Sequence, residues 1–320
     1  MRPLHVGLRY RLAPTMKLRN CAAKRVSEGQ DMDIRAILMG LIFAMMWSSA
    51  FTSARIIVAD MSPLFALSCR YLISGLLGVT IALALGQSMR LTPAQWRATI
   101  IFGILQNAVY LGLNFIAMQT VEASLAAIIA STMPLLVGFA VWIIFGERLR
   151  PLGIAGLFAG LIGVSIIMGA RISGGVDLAG VGLCVVGVIA LTAATLLVRG
   201  ATSGGNFLMI VGLQMLVGCV ALTLATLAFE TPRLNPTLPL ALAFAYTCLF
   251  PGLAATIIWF WLVNRIGATR AATFHFLNPF FGVAIAALLL SEQLGARDIL
   301  GVAIITAGIL AVQVSRQSKA

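Results

Sequence analysis

The sequence predicts an all-α polytopic membrane protein, ten transmembrane helices arranged as two inverted five-helix repeats. Three observations carry this reading. Of 320 residues, 60% are apolar and 10% charged, with a mean hydropathy of +1.02, whereas soluble domains average about 25% charged residues. The apolar residues gather in runs of about twenty, the length a helix needs to cross a bilayer. Residues 123–163 also match residues 268–308 without a gap. So few charges do not enclose a 320-residue core in water, which excludes a soluble enzyme or a nucleic-acid module despite a net charge of +12. The runs are far longer than the roughly ten-residue alternating strands of an outer-membrane barrel.

Residues 1–32 form a basic tail with seven Lys or Arg, expected in the cytoplasm. It lacks the apolar core and small-residue cleavage site of a secretory signal. Two readings stay open: translation starts at Met32 or Met16, or the segment rests on anionic lipid. The spans are placed at 36–59, 63–86, 98–118, 123–145 and 151–169, then at 178–198, 206–229, 238–263, 270–290 and 296–314. The first repeat occupies 33–170 and the second 171–315, with 316–320 a cytoplasmic C-terminus. Polar or helix-breaking punctuation separates the runs, as at Asp60 to Pro63, Gln87 to Pro93, Ser173 to Asp177 and Thr231 to Pro239. The loops are short, so consecutive helices are antiparallel neighbours.

With the N-terminus inside, Lys plus Arg divide 17 inside to 3 outside, and Arg55 and Arg70 lie within spans. The positive-inside rule then puts both termini in the cytoplasm and explains the basic excess as topology. The five cysteines show no CxxC or Cys/His spacing, so neither a disulfide framework nor a zinc site is indicated.

The repeat has a constant shift of 145 residues. Ala123, Ala126 and Ala127 fall on Ala268, Ala271 and Ala272; Pro134 on Pro279; Glu147 and Leu149 on Glu292 and Leu294; Ile154, Gly156 and Gly163 on Ile299, Gly301 and Gly308. Five spans per half is an odd number, so the halves run in opposite senses. Inverted halves around a midplane site are an architecture of secondary transporters.

At these residues the chain resembles the drug/metabolite transporter superfamily, in its EamA-type ten-helix branch. The resembling pieces are Trp47 to Phe51, Ser62-Pro63 through Arg70, and the unit from Ala126-Ala127 through Pro134 to Glu147-Arg148-Leu149 and Gly156. Pro279, Glu292 and Gly301 repeat that unit. The resemblance covers about 33 to 314. It implies a polytopic inner-membrane transporter, often an exporter of amino acids or other small metabolites, with a cavity between spans 1, 3, 4, 6, 8 and 9. The sixth span departs from the pattern: Ala190-Leu191-Thr192-Ala193 carries no Trp, and Thr192 is its polar candidate.

Intramembrane polar residues are the place to look for a site. In the third span, Asn107, Tyr110 and Asn114 share one face at helical spacing, with Gln106 beside them. They read as a cavity wall, or as interhelical glue. In the first span, Trp47 lies near mid-membrane as a gate or substrate wall, and Ser48 is either a cavity hydroxyl or a small packing residue. Trp259 and Trp261 approach the cytoplasmic end, where anchoring is expected of at least one. Arg55, near its span end, is expected to snorkel. Arg70 lies two turns in, and either attracts a carboxylate or phosphate or holds backbone carbonyls. His275 and Asn278 precede Pro279, which with Pro134 marks matching helix breaks. His275 is the intramembrane side chain whose ordinary pKa lies nearest neutrality, which makes it a candidate for a proton role. Its competing reading is a satisfied structural histidine. Glu147 and Glu292 read as structural acids at helix ends.

No Walker loop and no hydrolytic or redox constellation is present, so no catalytic residue, metal or cofactor is expected. The expected partners are a small-molecule substrate and the lipid bilayer, not nucleic acid. Monomer and homodimer both stay open. The reading is a secondary transporter that exports or exchanges a small metabolite, amino acid first and anionic compound second, by alternating access. A non-translocating scaffold or sensor is the alternative. A multidrug efflux protein is disfavoured because no deep carboxylate is present to hold a cation.

Overall fold

A computed structural model describes residues 34–144, 146, 150–198 and 204–317. The basic tail, Glu147, Arg148, Leu149 and the last three residues lie outside that set. Among the described residues, ten helices are long and apolar enough to cross a membrane. They are α1 (Ile34–Asp60), α2 (Pro63–Ala84), α3 (Pro93–Ala117), α4 (Ala123–Ile144) and α5 (Pro151–Ser173), then α6 (Leu178–Leu197), α7 (Phe207–Phe229), α8 (Leu238–Ile266), α9 (Ala272–Leu290) and α10 (Ala296–Ser315). Each matches an apolar run to within a few residues.

Local chemistry sets several starts. Pro63, Pro93 and Pro151 sit at the first turn of their helices, where the missing N–H is no loss. Thr92 and Gln95 form a reciprocal capping box on α3, and Asp177 accepts from Ala179 N at 3.0 Å to cap α6.

The halves are related by a pseudo-twofold axis, and the glycines prove it. A Cβ on Gly156 would stand 2.7 Å from the Gly308 carbonyl, and one on Gly163 would stand 2.8 Å from the Gly301 carbonyl. The 145-residue shift carries Gly156 to Gly301 and Gly163 to Gly308, so the first contact maps onto the second. In lipid, such small residues let α5 and α10 backbones meet closely. The irregular segments obey the same shift. α3 is π-helical over Gly103–Tyr110 and α8 over Cys248–Ala254, and their first residues are 145 apart. α4 breaks at Thr132, just before Pro134, and α9 runs as a tight 3-10 turn over Ala272–Leu277 until Pro279. Pro134 and Pro279 thus mark helix breaks at matching places.

Candidate functional site

A cavity of about 970 Å³ lies between the two repeats. Nine of the ten helices contribute to its wall, α2, α7 and α10 among them, beyond the six spans the resemblance implied. Its deep end is reached by Ala54, Arg70, Phe115 and Met118, near the helix ends opposite the termini. Its wide end is lined by Arg150, Val198, Phe207 and Ser315, at the ends that bear the termini. The irregular segments build the middle: Gln106, Asn107 and Tyr110 from the π turn of α3, Pro251 and Gly252 from that of α8, and Pro134 and His275 at the breaks.

The end opposite the termini is tied shut across the repeats. Glu292 accepts from Ala123 N at 2.8 Å and Ser124 N at 3.0 Å, and Glu230 accepts from Leu64 N at 3.1 Å and Phe65 N at 3.2 Å. Each carboxylate occupies a helix N-terminus, where the dipole favours it. Asp60 accepts from Asn235 Nδ2 at 3.0 Å and Thr237 Oγ1 at 2.6 Å. Arg171 pairs with Glu122 and, at 3.2 Å, with Asp298. Thr120 donates to Asp177 at 2.6 Å, and this hydroxyl holds the Asp177 carboxyl below its ordinary range. Glu292 therefore does sit at a helix N-terminus, but that of α4 in the other repeat rather than that of α10, which follows it. Its repeat partner Glu147 lies outside the described residues. At the terminus-bearing end, Met209 N donates to Gln87 Oε1 and Ser88 N to Asn206 Oδ1, both at 3.0 Å.

The sequence-derived candidates divide. Trp47, Arg70, Gln106, Asn107, Tyr110, Pro134 and His275 line the cavity. Asn107 is oriented by the Tyr71 hydroxyl, which donates to it at 3.3 Å, and by its own amide bond to the Gln214 carbonyl at 2.9 Å. Phe43, Trp47 and Trp259 surround the His275 ring with centroids 5.2–5.7 Å away. Asn278 donates to His275 Nδ1 at 2.9 Å and fixes the ring from behind.

Five candidates, Asn114, Ser48, Asn278, Pro279 and Thr192, take other places. Asn114 does not reach the cavity: it bonds the Tyr110 carbonyl at 2.8 Å and packs on Gly187 of α6. The cause is the π segment, whose i→i+5 bonding widens the turn and breaks the α-helical spacing that put Asn107, Tyr110 and Asn114 on one face. Ser48 is fully buried and donates to the Asn278 carbonyl at 3.2 Å, tying α1 to α9. Asn278 stands behind His275, and Pro279 is buried beside it. Thr192 bonds its own helix at Val188 O, and Thr195, one turn on, lines the cavity instead. Arg55 does not snorkel freely; it donates to the Met118 carbonyl. Trp259 faces the cavity and Trp261 is 59% exposed. Sequence reasoning missed Gln214 and Pro251. A proline inside the eighth apolar run was the available signal for Pro251. Gln214, a polar side chain in the seventh run, was legible by the same rule as Gln106.

Ten spans in inverted halves around a cavity closed at one end define a membrane transporter. The chain belongs to the EamA-like transporter family, whose pattern matches twice, over residues 34–169 and 178–313. The uncharacterized transporter YvbV of Bacillus subtilis (strain 168) is 24% identical over 286 residues, covering 89% of this chain and 93% of its own length. The aromatic amino acid exporter YddG of Ancylobacter novellus is 28% identical over 139 residues, 43% of this chain and 48% of its own. A known crystal structure of a protein superposes with a TM-score of 0.64 at 20% identity, over 89% of this chain and 99% of that one, and shows the same fold.

Proposed function

We infer that the protein is a secondary transporter that moves a small metabolite by alternating access, in the export or exchange direction. The observation that carries this is the cavity: about 970 Å³ between inverted repeats, reaching the terminus-bearing end, with polar ties across the other. Rocking the repeats about their pseudo-twofold axis exchanges which end is tied. A scaffold has no need of such a void, and its polar residues would pack against partners. The positive-inside count supports cytoplasmic termini, and with them an open end that faces the cytoplasm from an inner membrane. Among the described residues no Asp or Glu lines the cavity, which speaks against a cation-exporting multidrug pump. The substrates to test are amino acids, given the name of the partly matching exporter, and organic anions. Purified protein in liposomes, assayed for uptake and efflux of a labelled metabolite panel, tests the reading. Gradient-driven flux of at least one small solute, absent from empty liposomes, is expected. No flux for any class would overturn it.

A further inference from the structure

We propose that the cavity's occupant is a small organic monoanion, a carboxylate on an apolar body, with its charge held by Arg70. The inference rests on the transport reading and names the substrate class of that site. Arg70 is only 6% exposed and lines the deep part of the cavity. It is seven residues from the start of α2, hence about 10 Å along the helix axis. Its Nε has no hydrogen-bond partner, and its guanidinium has no ion pair among the described residues; its one ring contact is the face of Tyr71, 5.2 Å away. A buried charge of this kind is costly until an opposite charge or an acceptor reaches it. Arg55 shows the alternative, since it satisfies its charge on a backbone carbonyl.

The rest of the wall fits the same ligand. Tyr110 also lines the cavity, and its hydroxyl, buried without a partner, is a second donor within the same wall. A single guanidinium with its planar fork matches one carboxylate. The aromatic faces of Phe43, Trp47 and Trp259 offer an apolar wall. No described acidic side chain lines the cavity to receive an ammonium, so a net anion fits better than a zwitterion. Arg150 at the wide end adds positive potential along the entry path.

The test uses full-length protein in lipid nanodiscs, with binding read by isothermal titration. The probes are 3-phenylpropanoate, its neutral amide 3-phenylpropanamide, and phenylalanine. Wild type is expected to bind the acid about tenfold or more tighter than the amide, since bonds to a charged partner are the stronger ones, and tighter than phenylalanine. Arg70→Gln is expected to bring the acid-to-amide ratio close to one, and Arg70→Lys to leave it intermediate. Equal ratios in wild type and Arg70→Gln overturn the proposal, as does a wild type that prefers the amide or phenylalanine, or that binds no acid. If Arg70→Gln fails to assemble, Arg70→Lys and the wild-type ratios decide. Binding is read without translocation, so the two readings fail separately. A protein that binds the acid and moves nothing loses the transport reading alone. One that moves other solutes and ignores the acid loses this inference alone.

Discussion

Replacing Glu292 with Gln is predicted to open the end of the protein that is now shut. The carboxylate receives two backbone N–H groups at the start of α4, at 2.8 and 3.0 Å, from the opposite repeat. For the other end of the cavity to become accessible, α4 and the loop after α9 must part, so this contact belongs to one state and not to its inverse. Gln keeps one acceptor and loses the charge. A hydrogen bond to a charged group contributes about 1.5–3 kcal/mol, and the half-buried site argues for the lower value. A charge at a helix N-terminus adds about 0.3–1 kcal/mol. The combined loss of about 2 kcal/mol shifts the equilibrium between states about thirtyfold. The reporter is Met118→Cys, at the deep end of the cavity, with the five native cysteines replaced by Ala. A membrane-impermeant maleimide is applied from the face opposite the termini. Labelling by this route is proportional to the open population, so it is expected to rise about thirtyfold in the Glu292→Gln background. An unchanged or slower rate in a protein of normal abundance would refute the latch.

Four further outcomes follow from the geometry. Glu147 is the repeat counterpart of Glu292, so Glu147→Gln is expected to shift the same labelling in the opposite sense; a rise would break the symmetry argument. Gly163→Val should place a Cβ 2.8 Å from the Gly301 carbonyl and destabilise the α5–α10 contact by about 1–3 kcal/mol, read as a lower thermal midpoint in detergent, while Gly182→Ala, with open space around it, should leave that midpoint unchanged. Asn114→Leu is expected to lower stability by disturbing the packing on Gly187, whereas Gln106→Leu should reduce flux at normal abundance, since only the latter lines the cavity; the reverse pattern would return Asn114 to the wall. The Thr120 hydroxyl lowers the folded pKa of Asp177, so the stabilisation is present above the ordinary carboxylate pKa and is lost as pH falls through the lower folded value. The melting difference between wild type and Asp177→Asn should therefore shrink on acidification, and a difference that grows would contradict the sign.

Most of the architecture was legible in the sequence because the bilayer makes span length and hydropathy decisive. The matching residues at a shift of 145 also announced the symmetry, and Gly156 and Gly163 proved to be the residues that realise it. The site was legible in kind but not in detail. Arg70, Gln106 and His275 were found because polar residues in lipid need a reason. Asn114 was misplaced because a spacing rule presumes α-helical geometry, and α3 takes a π turn over Gly103–Tyr110. The partner of Glu292 was equally hidden. A carboxylate near a helix start is readable, but which helix it caps depends on how two repeats dock.

The distribution of polar groups gives the proposed mechanism its physical form. At the end opposite the termini, most of the polar ties join one repeat to the other, through helix N-termini, carboxylates and hydroxyls within 3.2 Å. Such ties are short-ranged and break over small displacements, so they act as a latch rather than as a hinge. The glycine contacts between α5 and α10 also join the repeats, but through close backbone packing without charge. That surface tolerates sliding at little electrostatic cost. Between latch and sliding surface lie the irregular segments of α3, α4, α8 and α9, which pair across the pseudo-twofold axis and carry cavity residues. Irregular backbone at membrane depth persists where it lines a cavity, and here it occurs in matched pairs. A movement that bends one member of a pair therefore has an equivalent in the other, as the alternating access proposed above requires. The uncompensated guanidinium of Arg70 sits within that frame on α2. A bound anion would remove that penalty, and so would lower the cost of holding charge within the membrane.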